Sequence, residues 1–76
     1  MIIATVYEKT AEVKIAAENF KEFEVDLKIF KNDIKPEDRN YVEHKKVWRV
    51  KNLDKYIRVP YIRAALLDRE KQMSLF

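Results

Sequence analysis

Glu18-Asn19-Phe20-Lys21-Glu22-Phe23-Glu24-Val25-Asp26-Leu27-Lys28-Ile29-Phe30-Lys31 is the stretch on which the fold turns. Two periods run through it. Phe23, Val25, Leu27 and Ile29 alternate with Glu24, Asp26 and Lys28, as in a half-buried strand. Phe20, Phe23, Leu27 and Phe30 also recur at i, i+3, i+7 and i+10, which is one stripe of a helix. Length separates the two readings. A strand of this length is unusual in a small domain, so a helix is expected over residues 18–31.

Upstream, residues 2–8 and 11–16 read as strands. Ala11-Glu12-Val13-Lys14-Ile15 alternates apolar and charged residues, and Glu8-Lys9-Thr10 supplies the turn. Downstream, Lys35-Pro36-Glu37-Asp38-Arg39 is a loop, because proline disfavours helix just before it. Asn40-Tyr41-Val42-Glu43 and Lys46-Val47-Trp48-Arg49-Val50 then form a hairpin. With His44-Lys45 as its turn, Val42 faces Val47 and Tyr41 faces Trp48, a favourable aromatic pair on one face. Asn52 can cap a short turn through Leu53-Asp54-Lys55-Tyr56. Pro60 suits the first turn of a helix that runs from Tyr61 to about Lys71, with Ile62, Ala65 and Leu66 inward. The expectation is an α+β fold of order ββαββα: one small domain over residues 1–71 and an extended tail over 72–76.

Composition sets bounds on chemistry. At 76 residues the chain is one small domain that buries only about 60% of its unfolded surface. It has no cysteine, so no disulfide or cysteine-based metal site assists it. It has no glycine, which excludes every phosphate-cradling loop that depends on one. No apolar run reaches the roughly 18 residues of a membrane span, and Met1 to Tyr7 lacks the pattern of a signal peptide. A cytoplasmic protein with no membrane partner is expected.

Charge is unevenly placed. The net charge is +3, but residues 45–63 carry Lys45, Lys46, Arg49, Lys51, Lys55, Arg58 and Arg63 against Asp54 alone. Concentrated positive charge attracts phosphate backbones. Lys45, Lys46, Arg49, Lys51, Arg58 and Arg63 are therefore the candidate DNA-contacting residues. Trp48, interleaved among them, is expected inside, because a small domain needs its large aromatics there.

The residues Gln72-Met73-Ser74-Leu75-Phe76 stand apart from the charged helix end Asp68-Arg69-Glu70-Lys71. They could fold back on the core, but chain ends are mobile unless tied down. The pentapeptide resembles the clamp-binding motif of bacterial replication and repair proteins, Gln-Leu-Ser/Asp-Leu-Phe. It matches at Gln72, Ser74, Leu75 and Phe76 and departs at Met73, where methionine is close to leucine in volume and polarity. The resemblance implies that Leu75 and Phe76 enter an apolar pocket on the DNA sliding clamp, that Gln72 hydrogen-bonds beside it and that Met73 packs between. A short extended peptide ordered on binding should bind at about micromolar Kd. The archaeal and eukaryotic motif fits less well, since it needs an aromatic pair further on.

Arg39-x-Tyr41 followed by Lys46-x-Trp48-x-Val50 is similar to the end of a HARP-like module. Such modules precede some helicases and fork-remodelling ATPases and are associated with DNA forks. The likeness covers about residues 11–50 and implies a free-standing DNA-binding module.

No catalytic constellation is apparent, and no cofactor is implied. His44 is the one histidine and Ser74 the one serine, so a nucleophilic triad would rest on a mobile end. Asp38 and Glu43 could meet near a loop and hold a cation. Glu43-x-Lys45 resembles the close of a nuclease signature, but Asp38 lies too near it. The expected function is a non-enzymatic accessory or regulatory protein of DNA replication or repair. It would dock on the bacterial-type clamp through Gln72, Met73, Ser74, Leu75 and Phe76 and contact DNA through the basic hairpin. The alternatives are a plain DNA-binding module with a structural tail, a clamp-competing inhibitor from a phage or mobile element, and a subunit whose tail completes a homodimer.

Overall fold

The computed structural model describes residues 1–73, with side chains through Arg69. Among them are strands β1 (Ile2–Val6) and β2 (Ala11–Ile15), helix α1 (Phe20–Asp33), strands β3 (Arg39–Val42) and β4 (Val47–Val50), and helix α2 (Pro60–Met73). Short 3-10 turns span Pro36–Asp38 and Leu53–Tyr56. The order ββαββα and the α+β class are as the sequence indicates.

The four strands form one antiparallel sheet in the order β1-β2-β4-β3. Alternation decides its faces. Ile2, Ala4 and Val6 of β1 lie opposite Ile15, Val13 and Ala11 of β2, and Ala11 and Val13 in turn face Val50 and Trp48 of β4. These residues point to one side, where both helices pack. Ala11, Val13, Phe30, Ile34, Val50, Leu53, Tyr56 and Ile62 are the buried apolar core there. Each Val, Leu, Ile or Phe among them contributes roughly 1.5–3 kcal/mol when fully buried. The opposite face carries Ile3, Thr5, Glu12, Lys14, Asn40 and Arg49 and has no helix over it.

The ambiguous segment is a helix. Asn19 caps it: its Oδ1 accepts from the Glu22 backbone N–H at 2.9 Å, and the Glu22 carboxylate accepts from Glu18 N–H at 3.3 Å. This reciprocal arrangement approaches a capping box. Leu27 packs on the core and Phe30 is fully buried, but Phe20 is 73% exposed. The helix stops at Ile34, whose N–H bonds Phe30 O at 3.0 Å. Beyond it Lys35 is extended (φ −66°, ψ 148°), as a residue before proline must be. The Arg39 guanidinium donates to Lys31 O at 3.0 Å and to Ile34 O, pinning the start of β3 to the orphan carbonyls at the end of α1.

The β3–β4 hairpin has the expected register, Tyr41 with Trp48 and Val42 with Val47. Its loop is longer than the two residues expected. Glu43 to Lys46 all lie in the turn, closed by Lys45 N–H to Val42 O and Lys46 N–H to Glu43 O, both 3.2 Å. Lys46 is left-handed at φ 55°. The chain has no glycine to offer, and a four-residue loop around a right-handed turn needs one such position.

Asn52 is also left-handed (φ 55°) and makes no side-chain cap to the turn that follows, in contrast to the sequence expectation. Its amide reaches Asp38 Oδ1 at 2.6 Å instead. Asp38 is the one buried charged residue among those described. The Tyr56 hydroxyl donates to its Oδ2, Lys55 Nζ lies 3.5 Å from the same oxygen, and Lys51 N–H donates to its carbonyl at 2.9 Å. The Tyr56 hydroxyl bond above all, then that of Asn52, hold the Asp38 carboxyl below the usual carboxylate value of 3.8 against the opposing effect of burial; Lys55 adds to the lowering. Burial raises the Tyr56 phenol, and its bond to Asp38 adds to that.

Helix α2 begins at Pro60, packs across β1 and buries Ile62. It runs through Met73, two residues beyond the expected end. Nothing from Asp68 to Met73 breaks a helix, and most of those residues are good helix formers. Tyr61 joins it to α1 through Asp33 (3.3 Å), and Arg69 joins it to Tyr7 O (2.7 Å). Burial raises the Tyr61 phenol strongly, helped by Asp33. No helix among the described residues is long and apolar enough to cross a membrane.

Candidate nucleic-acid interface

The six basic residues singled out from the sequence are all exposed, but the fold does not gather them into one surface. Strand alternation sends Arg49 and Lys51 to the open face of the sheet. Arg49 lies opposite Glu12 of β2 and Asn40 of β3. Lys45, in the hairpin turn, reaches over the same face and sits 3.6 Å from the Glu12 carboxylate. Lys46 turns to the helix side, beside Tyr41 and Trp48. Arg58 follows the second 3-10 turn and Arg63 lies in the first turns of α2, both in the helical layer.

Two crevices mark the open face. One, about 370 Å³, is lined by Tyr7, Thr10, Glu12, Lys45 and Arg49. The other, about 420 Å³, is lined by Glu37, Asp38, Arg39, Asn40, Arg49 and Lys51. Each mixes cations with carboxylates, and those carboxylates repel phosphate.

The helix side of the hairpin differs. A crevice of about 350 Å³ is lined by Lys14, Ile15, Phe23, Tyr41, Lys46 and Trp48. Trp48 is half-buried at the rim of the core, where the sequence reading placed it inside. Its ring packs on Phe30 (centroids 5.3 Å, 49°) and on Tyr41 (5.1 Å, 55°), both tilted as aromatic quadrupoles prefer. Lys31 Nζ lies 5.8 Å from the Trp48 ring centroid, within cation–π range. Tyr41 remains 45% exposed and Phe23 37%. Lys14, Lys31 and Phe23 were not among the candidates read from the sequence. Tyr41 was readable as the cross-strand partner of Trp48. Phe23 and Lys31 could be placed there only once residues 20–33 were known to be a helix crossing that side of β4.

The carboxylate pair proposed as a cation site does not form. Asp38 and Glu43 stand at opposite ends of β3, roughly 16 Å apart at about 3.3 Å per residue, and Asp38 is engaged by Tyr56, Asn52 and Lys55. No group of three or more His, Cys, Asp or Glu residues among those described could hold a metal ion. His44 is exposed in the hairpin turn.

Of the clamp-motif residues, Gln72 and Met73 have their backbone in the last turn of α2, and Ser74, Leu75 and Phe76 lie outside the described residues. Compared with protein-family models, curated proteins and solved structures, the chain matches none.

Proposed function

We propose that this chain is a small accessory or regulatory protein of DNA replication or repair that docks on a bacterial-type sliding clamp through Gln72–Phe76 and contacts DNA through the β3–β4 hairpin. The observation that carries the reading is the agreement of Gln72, Ser74, Leu75 and Phe76 with the clamp-binding pentapeptide. A few apolar anchors in a pocket supply most of the affinity of such small interfaces. The exposed Lys45, Lys46, Arg49 and Lys51 around the hairpin support the DNA contact, because phosphate binding draws on accessible cations. Whether the clamp then gains a recruited factor or loses access to a competing polymerase depends on what else the bound chain holds. A phage or mobile-element inhibitor of the clamp is the competing form of the same docking.

An extended docked peptide requires Gln72 and Met73 to leave α2. The last four carbonyls of a helix have no intrahelical partners, and terminal turns open at little cost. The continuation of α2 through Met73 favours the second reading, a DNA-binding module whose tail is structural. Titration of a purified bacterial sliding clamp with the intact chain and with a Leu75→Ala/Phe76→Ala variant separates the two. Docking predicts micromolar binding that the double substitution abolishes. A structural tail predicts no clamp binding by either and a loss of stability in the variant. For the DNA contact, neutralising Lys45, Lys46 and Arg49 should flatten the dependence of DNA affinity on salt; an unchanged slope removes it.

A further inference from the structure

We propose that the crevice between α1 and the hairpin, walled by Phe23, Tyr41 and Trp48, is a binding site for an unpaired base of single-stranded nucleic acid, with Lys31 and Lys46 set to meet the flanking phosphates. This rests on the reading of the hairpin as a nucleic-acid surface and specifies which side of it binds and which form of strand it takes.

The three hairpin crevices differ in chemistry. The two on the open face include carboxylates, Glu12 in one and Glu37 and Asp38 in the other. The third has none among its lining residues, and Lys46 stands at its rim beside three aromatic rings. Lys31, over the Trp48 ring, adds a second cation. A site with positive charge alone favours a polyanion, and aromatic walls favour flat uncharged faces. Single-stranded nucleic acid presents both at the spacing of one nucleotide, whereas a blunt duplex keeps its base faces stacked away. The volume, about 350 Å³, lies within the range of small-ligand sites. Two of the rings are accessible: Tyr41 and Phe23 are 45% and 37% exposed, while Phe30 on the same helix is fully buried.

The chain carries its own reporter, since Trp48 is the only tryptophan. The experiment titrates the full chain with oligothymidylate of about ten nucleotides, with oligouridylate of equal length, with a blunt duplex of equal phosphate count and with polyglutamate. It follows Trp48 emission and, with labelled nucleic acid, anisotropy. Saturable quenching by the single strands, without quenching by the duplex or by polyglutamate, is the expected result. The deoxy and ribo arms then show which source the site prefers. Phe23→Ala and Tyr41→Ala should each weaken single-strand binding about tenfold or more, and Tyr41→Phe should leave it unchanged because the ring remains. Phe23 is on an exposed helical position, so its variant stays folded even if Tyr41→Ala does not. Lys31→Gln with Lys46→Asn, the latter chosen because asparagine tolerates the left-handed turn position, should lower the single-strand salt slope by about 1.4. Unchanged affinity in Phe23→Ala and Tyr41→Ala, or equal quenching by polyglutamate, overturns the site. Duplex binding without single-strand quenching overturns it and leaves the hairpin contact standing. Absence of binding to every nucleic acid overturns both.

Discussion

Phe20 and Phe30 are the same residue on the same helix, and the structure gives them opposite roles. Phe30 is fully buried, with Trp48 at 5.3 Å and Tyr61 at 6.5 Å between centroids, whereas Phe20 is 73% exposed. Phe30→Ala would cost about 3–5 kcal/mol, against a whole-domain stability of roughly 4–11 kcal/mol at this length. That is too near unfolding to be informative. Phe30→Leu keeps most of the apolar volume and deletes two aromatic pairs, each worth about 0.5–1.5 kcal/mol. The expected loss is therefore about 1–3 kcal/mol, a fall in Tm of roughly 5–20 °C for a domain of this size. Phe20→Leu should change stability by less than about 0.5 kcal/mol. Urea denaturation followed by far-UV circular dichroism measures both, and Trp48 emission serves as a second probe because Phe30 touches it. Equal losses in the two variants, or a Phe30→Leu loss below about 0.5 kcal/mol at unchanged m, would refute the assigned helix face and the packing of α1 on β4.

Three further outcomes follow from named contacts. Asp38 has its folded pKa lowered below 3.8, so its stabilising contribution is complete above that pH and is lost as pH falls below it; Asp38→Asn should lower the neutral-pH urea midpoint and flatten its acid decline, and a variant that keeps the wild-type acid limb would contradict the clasp. Lys46→Gly, at φ 55°, should raise stability by about 0.5–1 kcal/mol by relieving a left-handed lysine, and a lowered thermal midpoint would count against that turn geometry. Met73→Leu restores the consensus residue of the clamp motif and should tighten clamp binding by up to about tenfold in a competition assay; weaker binding would show that the peptide is not read in that register.

Much of the fold could be read from local pattern because local pattern decides it. The β3–β4 register follows from two valines and two aromatics spaced to meet, and the β2 alternation of Ala11, Val13 and Ile15 marks its buried face. The helical stripe of α1 was legible at Leu27 and Phe30 and misleading at Phe20, since periodicity cannot say how much of a stripe its partners cover. Asn52 reads as a cap, but its amide goes to Asp38, fourteen residues away in sequence. Asp38 itself looked like a possible cation ligand, and only tertiary placement shows it held by Tyr56. The basic run 45–63 was visible as charge, but a stretch that contains a strand, a 3-10 turn and the start of a helix sends its cations to different faces. The aromatic crevice joins residues from β2, α1, β3 and β4 and so had no signature in any one segment.

The most direct test is calorimetric titration of a purified bacterial sliding clamp with the intact chain and with the chain truncated after Lys71. Docking through Gln72–Phe76 predicts a saturable isotherm at about micromolar Kd for the intact chain and no heat of binding by the truncated one up to about 100 µM. Equal affinity of the two chains, or no binding by the intact chain in that range, would contradict the account.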